Sequence, residues 1–176
     1  QGLRATRGGR HPRTLCSISG FGWLRLERGD LDGAEPLLRE AVEGCRELGD
    51  RSPYTMMSIT SRSALLRTEA DLDGAGPLAR EAVERCRKAH GDRHLQTLGT
   101  IANLGSLLEA KGDPDSADTL LREAVQGLRE TLGDRHPRTL CSIKGFGWLL
   151  RDRGDLDGAE PLFREELEGS RETLGD

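Results

Sequence analysis

Few residues in this chain are spaced for chemistry, and each such spacing has a structural reading beside the chemical one. His90 and His94 stand at the i, i+4 interval at which two imidazoles on one helix face can share a metal ion. Gly91-Asp92 lies between them in an inter-repeat loop, so the pair reads as loop or N-cap histidines. His11 and His136 precede helix-opening prolines and read the same way. Cys16, Cys45, Cys86 and Cys141 form no CxxC. Cys16 matches Cys141 and Cys45 matches Cys86 across an internal repeat, so duplication accounts for them. They read as structural thiols in a reducing compartment, with disulfide or metal roles as the alternative. Arg28-Gly29-Asp30 and Arg153-Gly154-Asp155 spell an adhesion tripeptide. A basic last turn, a glycine cap and an aspartate at the next helix start explain all three residues without it. The DLDG segments lack the remaining ligand spacing of a calcium loop. A glycine-rich phosphate loop, a Ser/His/Asp set and a paired-carboxylate cleft are all missing from the sequence.

The segment Gly-Phe-Gly-Trp, at 20–23 and again at 145–148, is more informative, because it holds four of the six aromatic residues. Phe21 and Phe146 share an apolar stripe with Ile18 and Ile143, which makes core packing their role. Trp23 and Trp148 lie two positions on, off that stripe. They either anchor a partner, as exposed aromatic rings do at binding hot spots, or pack against a neighbouring helix. Both readings stay open. The flanking glycines each cost about 0.5–1 kcal/mol in a helix relative to alanine, which predicts close backbone contact there.

The elements that position these residues follow from repetition. HPRTLCSI stands at 11–18 and 136–143, and RGDLDGAEPL at 28–37 and 153–162. Between residues 11–47 and 136–172 only eight positions differ: 19, 25, 26, 27, 38, 41, 42 and 45 of the first copy. Two weaker copies lie between. Ala34, Ala75, Ala117 and Ala159 are spaced by 41, 42 and 42 residues, and so are Thr14, Thr55, Thr97 and Thr139. Self-similarity at that period marks a solenoid of repeated helix pairs. Each unit predicts a first helix from about 12 to 28, with Leu15, Ile18, Phe21 and Leu24 on one stripe. Pro12 and Pro137 suit the first helical position, and Ser52 is a better N-cap than His11. Gly29, Gly112 and Gly154 read as left-handed caps, with Ala70 replacing the glycine in the second copy. A second helix opens near Asp30 or Leu31, or at Asp113-Pro114, and ends near Gly49. Its apolar face is Ala34, Leu37, Leu38, Ala41 and Val42. Each helix is expected to run for roughly 16–18 residues.

Composition agrees. The chain is 32% charged and 3% aromatic, which argues against a ring-rich β-sandwich and, taken alone, suggests disorder. Repetition removes that suspicion, because a solenoid has a thin core and uses alanine and glycine at its close contacts. Acids and bases stand at 30 to 26, so no strong field for nucleic acid is expected. No apolar run approaches the ~20 residues of a membrane span, and no signal peptide opens the sequence.

A 42-residue unit with HPxT, a small residue in the first helix, G-x-L-D-x-A and then PL-x-x-EA-V resembles the tetratricopeptide repeat. More narrowly, it is similar to the long form found in kinesin light chains. The resemblance implies an all-α, right-handed superhelical solenoid of antiparallel helix pairs. The expected organisation is 1–10 as the end of a preceding repeat helix and loop, then repeats at 11–51, 52–93, 94–135 and 136–176. Gln1-Gly2-Leu3-Arg4 matches Gln126-Gly127-Leu128-Arg129, there is no initiator methionine, and RHP would follow Asp176. The chain is therefore expected to be a piece of a longer array. Gly22, Gly105 and Gly147 occupy the first small position, and Ala41, Ala82 and Ala124 the third, where Glu166 departs. Arg62 stands where Phe21, Leu104 and Phe146 stand, so the second repeat is expected to be looser.

By resemblance, the first helices line a concave groove that holds peptides. The implied groove residues are Ser19, Trp23, Arg67, Asn103, Ser106, Lys144, Trp148 and Arg151, with Cys16, Leu26, Glu27, Met57, Thr60, Ala64, Glu109, Cys141 and Asp152 beside them. Asn103 alone keeps the asparagine such repeats turn toward peptide backbone; Gly20, Ser61 and Gly145 replace it. The expected function is a protein–protein interaction scaffold without catalysis, cofactor or metal. Its partner is a protein or peptide, not nucleic acid or a membrane. Neighbouring repeats or another subunit are expected to cover the ends, and the location is intracellular, in the cytoplasm or an organelle lumen. The alternatives are a kinesin-light-chain-like cargo adaptor, a structural subunit of a large assembly, and the regulatory array of a longer enzyme or signalling protein.

Overall fold

The computed structural model describes the backbone of residues 11–47 and 53–174 and the side chains of 11–47 and 58–173. Within these residues there are eight helices and no strand. They are α1 Pro12–Glu27, α2 Leu31–Arg46, α3 Pro53–Thr68, α4 Leu72–His90, α5 Leu95–Ala110, α6 Pro114–Leu132, α7 Pro137–Asp152 and α8 Leu156–Leu174. The helix boundaries agree with the stripe and cap pattern, except that α4, α6 and α8 run to 19 residues. Ser52, Gly49 and residues 1–10 lie outside the described part. The chain divides into two compact units, Gln1–Ala89 and His90–Asp176. In the first, α1 packs on α2 and α2 on α3; in the second, α5 packs on α6, α6 on α7 and α7 on α8.

One turn chemistry recurs at the first-to-second helix junction. Gly29, Gly112 and Gly154 adopt φ of 77°, 78° and 81°, so their N–H groups can turn back onto the helix they end. The next residue serves both helices. The Asp30 N–H donates to Arg25 O (3.0 Å), closing α1, while the Asp30 carboxylate accepts from Gly33 N (3.0 Å), opening α2. Asp71, Asp113 and Asp155 do the same between Leu66, Leu108 and Leu150 and the amides of Gly74, Ser116 and Gly158. The RGD and DLDG strings are therefore helix punctuation. Ala70 makes the same turn at φ 60° with a Cβ in place.

At the other ends, histidine is the N-cap. The Nδ1 atoms of His11, His94 and His136 accept from the amides of Arg13, Gln96 and Arg138 at 3.2, 3.2 and 3.1 Å.

Packing inside each pair relies on missing side chains. A Cβ on Gly22 would lie 2.7 Å from Leu38, and one on Gly105 2.8 Å from Leu121. A second small position, unmarked by the sequence pattern, does the reverse. Gly44, Gly127 and Gly169 on the second helices receive Leu15, Leu98 and Leu140, with Cβ clearances of 2.5, 2.3 and 2.6 Å. The core is aliphatic: Leu15, Leu38, Ile59 and Leu65 in the first unit, and Leu98, Ile101, Leu107, Leu121, Ile143 and Leu149 in the second.

Candidate functional site

Metal and redox chemistry find no support among the described residues. No disulfide joins the four cysteines, and burial, the leading influence, pushes the Cys45 thiol up and away from thiolate. No group of three or more His, Cys, Asp or Glu side chains among the described residues could hold a metal ion. The His90 and His94 rings stack with centroids 4.6 Å apart, but His94 spends its Nδ1 on the α5 N-cap. No described helix is long and apolar enough to cross a membrane.

In the second unit, five of the expected groove residues stand exposed on first helices: Asn103 and Ser106 on α5, and Lys144, Trp148 and Arg151 on α7. Trp148 is 43% exposed. Its ring is held from two sides, edge-on by Phe163 of α8 at 5.0 Å and face-on by the Arg151 guanidinium at 4.0 Å. Arg151 also pairs with Asp152 at 2.5 Å. Glu109, on α5, feels both of them. Burial, followed by the Asp152 charge, raises its carboxyl above the usual range, and Arg151 offsets this in part. The structure thus brings Trp148, Arg151, Asp152 and Glu109 into one cluster across α5 and α7. A half-exposed indole with a cation on its face gives apolar area and charge in one place. Gly145, one turn before Trp148, has open space around its Cα. The close contact expected of every flanking glycine therefore holds for Gly22 and Gly147, whose Cβ positions meet Leu38 and Phe163, and not for Gly20 or Gly145.

The first unit repeats this only in part. Trp23 is 41% exposed and its Nε1 donates to Glu27 Oε1 at 2.8 Å. Arg67 stands exposed on α3, whereas Met57 lies outside the described side chains.

Two expected groove residues, Ser19 and Lys144, hold the same position of the first and fourth repeats but differ in surroundings. Ser19 is 1% exposed and its Oγ has no partner, so it presents nothing to a ligand. Lys144, at the same position of the fourth repeat, reaches Glu166 on α8 at 3.7 Å. Glu166 in turn replaces Ala41. Lys144 and Glu166 thus meet across the seam between α7 and α8, at the positions where the first repeat has the buried Ser19 and Ala41. The sequence signal was present, since 19 and 41 both fall among the eight differing positions. Phe163, which supports Trp148, is another of them, replacing Leu38. Arg62, half-buried in α3, keeps its seam by charge, reaching Glu35 of α2 at 3.7 Å.

Comparison with known proteins follows the same lines. By structure, the chain is similar to a single-substitution variant of a Podosopora anserina protein of nearly identical TPR-like repeats, named for kinesin light chain. That likeness has a TM-score of 0.84 and 21% identity, over 98% of this chain and 81% of that one. It is also similar to BtubC (BKLC) from P. vanneervenii, at TM-score 0.80 and 20% identity, over 92% of this chain and 66% of that one. MamA follows at TM-score 0.66 and 14% identity, over 96% and 84%. At these identities the likeness is one of fold. No curated protein matches the chain in sequence. Family models described as "Tetratricopeptide repeat" match residues 17–54, 54–130 and 97–172, and with nearly its whole length so matched the chain belongs to the tetratricopeptide repeat family.

Proposed function

We propose that this protein is an interaction scaffold that binds a peptide or partner protein through the exposed face of its first helices. The supporting observation is the Trp148 cluster, where an exposed ring carries the Arg151 guanidinium at 4.0 Å beside the partly desolvated Glu109. That arrangement suits a partner segment with an apolar or aromatic side chain seated on the indole and polar groups on either side. Asn103 and Ser106 on α5 supply hydrogen-bonding groups along the same helix face. The scaffold acts by binding alone, within the cell, and its outer helices are covered by further repeats or another subunit. A cargo-adaptor role is the second reading, supported by the kinesin-light-chain name of the P. anserina neighbour.

A peptide array read by Trp fluorescence tests the first reading, using Trp23→Phe to leave Trp148 as the sole indole. Bound peptides should shift that emission, and Trp148→Ala should weaken their binding by tenfold or more (about 1.4 kcal/mol). Peptide affinity unchanged by Trp148→Ala would remove the groove assignment and leave the indole a packing residue.

A further inference from the structure

The N-cap of α7 is made by a group that titrates. Arg138 is the second residue of α7, so its amide has no carbonyl partner within the helix. The Nδ1 atom of His136 supplies the acceptor, at 3.1 Å. Only a neutral ring can do this. An imidazolium carries a proton on both nitrogens and accepts nothing, and imidazole changes charge between about pH 5 and pH 8. In acid, then, the acceptor becomes a donor that faces another donor. A positive ring is also disfavoured at the positive end of the helix dipole.

The surroundings give the charged ring another place to go. His136 shares a concavity of about 610 Å³ with Asp134 and Arg135 of the loop before α7 and with Glu165 and Glu168 of α8. Helix α7 itself contributes Arg138, whose side chain is exposed. Most of these charges are already engaged. Arg129 of α6 pairs with Glu165 at 2.5 Å and with Asp134 at 3.5 Å, and Arg135 pairs with Glu172 at 2.7 Å. Glu168 has no ion pair or hydrogen bond among the described residues. Its exposure does not come from lying on the last helix, because Glu43, Glu84 and Gln126 are exposed at the same position of the other repeats.

The joint before α5 is the contrast. His94 caps α5 in the same way, with the Gln96 amide at 3.2 Å, and its ring stacks on His90 at 4.6 Å. There the residue matching Glu168 is Gln126, a neutral amide that donates to Glu130 at 2.8 Å. The loop is also tied by other bonds. The Thr97 hydroxyl donates to Gly91 O at 2.8 Å, the Thr131 hydroxyl donates to Arg93 O at 3.3 Å, and Arg93 pairs with Glu130 at 3.1 Å. Before α7 the matching threonines make neither bond. Thr139 Oγ1 is buried without a partner, and Thr173 donates within α8. The first turn of α7 therefore depends on its histidine more than that of α5 does.

We propose that His136 is a pH-sensitive latch on α7. The neutral ring caps the helix; the protonated ring releases the Arg138 amide and turns its new Nδ1–H toward Glu168. The first turn of α7 then loses its fixed start, while Trp148, about three turns further on, keeps its surroundings. By sequence, His11 and Glu43 repeat the pair in the first repeat. The inference stands apart from the binding role given to the Trp148 face.

Amide exchange and ring titration, followed by NMR on the 176-residue chain from about pH 8 to about pH 5, test it. Protection of the Arg138 amide, measured against an unstructured peptide at the same pH, should fall about tenfold or more as the His136 ring gains its proton. Gln96 should follow only at lower pH; a simultaneous loss would overturn the part given to Glu168. His136→Asn supplies a cap that does not titrate, so the Arg138 amide should stay protected throughout, and a pH response that persists in this variant would overturn the latch. Glu168→Gln should lower the pH at which His136 titrates by about half a unit or more. An unmoved titration would remove Glu168 as the second position of the ring. Protection of Arg138 that stays constant while the His136 ring titrates would overturn the proposal outright.

Discussion

The first and fourth repeats are close to a controlled experiment within one chain: residues 11–47 and 136–172 differ at eight positions, yet their first helices live in different surroundings. Phe146 is 5% exposed and Phe21 48%; Leu149 is 1% exposed and Leu24 40%. Thr139 is buried and Thr14 is exposed. Secondary structure is the same in both, down to the histidine cap and the glycine turn. What differs is that α6 lies on the outer face of α7, whereas among the described residues no helix precedes α1. Local sequence therefore dictates the helix and its stripe, while burial of the stripe belongs to the neighbour.

The largest expected effect separates the two phenylalanines. Phe146→Ala should cost about 3–5 kcal/mol, the usual penalty for emptying a core aromatic site. Phe21→Ala should cost about 1 kcal/mol or less in dilute protein. Chemical denaturation of the two variants makes the measurement, and equal losses would break the comparison. Next come the glycines of GFGW. Gly22→Ala drives a Cβ against Leu38 and should destabilise by about 1–3 kcal/mol. Gly20→Ala and Gly145→Ala meet open space and should stabilise by about 0.5–1 kcal/mol each. A rise in Tm for the second pair and a fall for the first is the expected pattern. At the junctions, Ala70→Gly should gain about 1 kcal/mol, because an L side chain in the left-handed region is strained by about that amount. Gly29→Ala should lose a similar amount. Loss of stability in Ala70→Gly would show that the junction in the second repeat is set by something other than this turn.

The smallest effect is in pH dependence, where the two units should move oppositely. Burial alone would raise the Glu81 carboxyl, but its hydrogen bond and charge contact with Arg46, with help from Arg85, hold it below the usual range. That stability is present above the ordinary glutamate pKa of about 4.3 and is lost as pH falls through the lowered value. Glu109 is raised, so the folded chain holds its proton more tightly. Its penalty is present at neutral pH and is relieved as pH falls through the raised value toward the ordinary one. Glu81→Gln should flatten the acid loss and Glu109→Gln the earlier gain, in denaturation midpoints taken from neutral pH downward. A Glu109→Gln curve parallel to that of the unsubstituted chain would rule out the desolvated carboxylate.

Much of this was legible in the residues. The stripe in PRTLCSISGFGWLRLE predicts α1 to within a residue, and the roles of Gly29, Asp113 and Pro114 follow from backbone chemistry alone. The candidate site was half legible. Trp148 and Arg151 lie off the stripe and are exposed. Ser19 and Lys144 share one position but differ in type, and only the seam with α8 explains why lysine arrives together with Glu166. Arg62 reads as a defect in a stripe until Glu35 is found beside it. These were hidden because each depends on a residue of another helix, which no local pattern contains.

By itself, then, the sequence of this protein determines the helices, their turns and the order of the repeats, because hydrophobic period, caps and left-handed glycines act within a few residues. The tertiary structure alone decides which rings are covered, which glycines are crowded and which charges meet. Those outcomes depend on distances between helices, and a helix stripe acquires a partner only when another helix is laid against it.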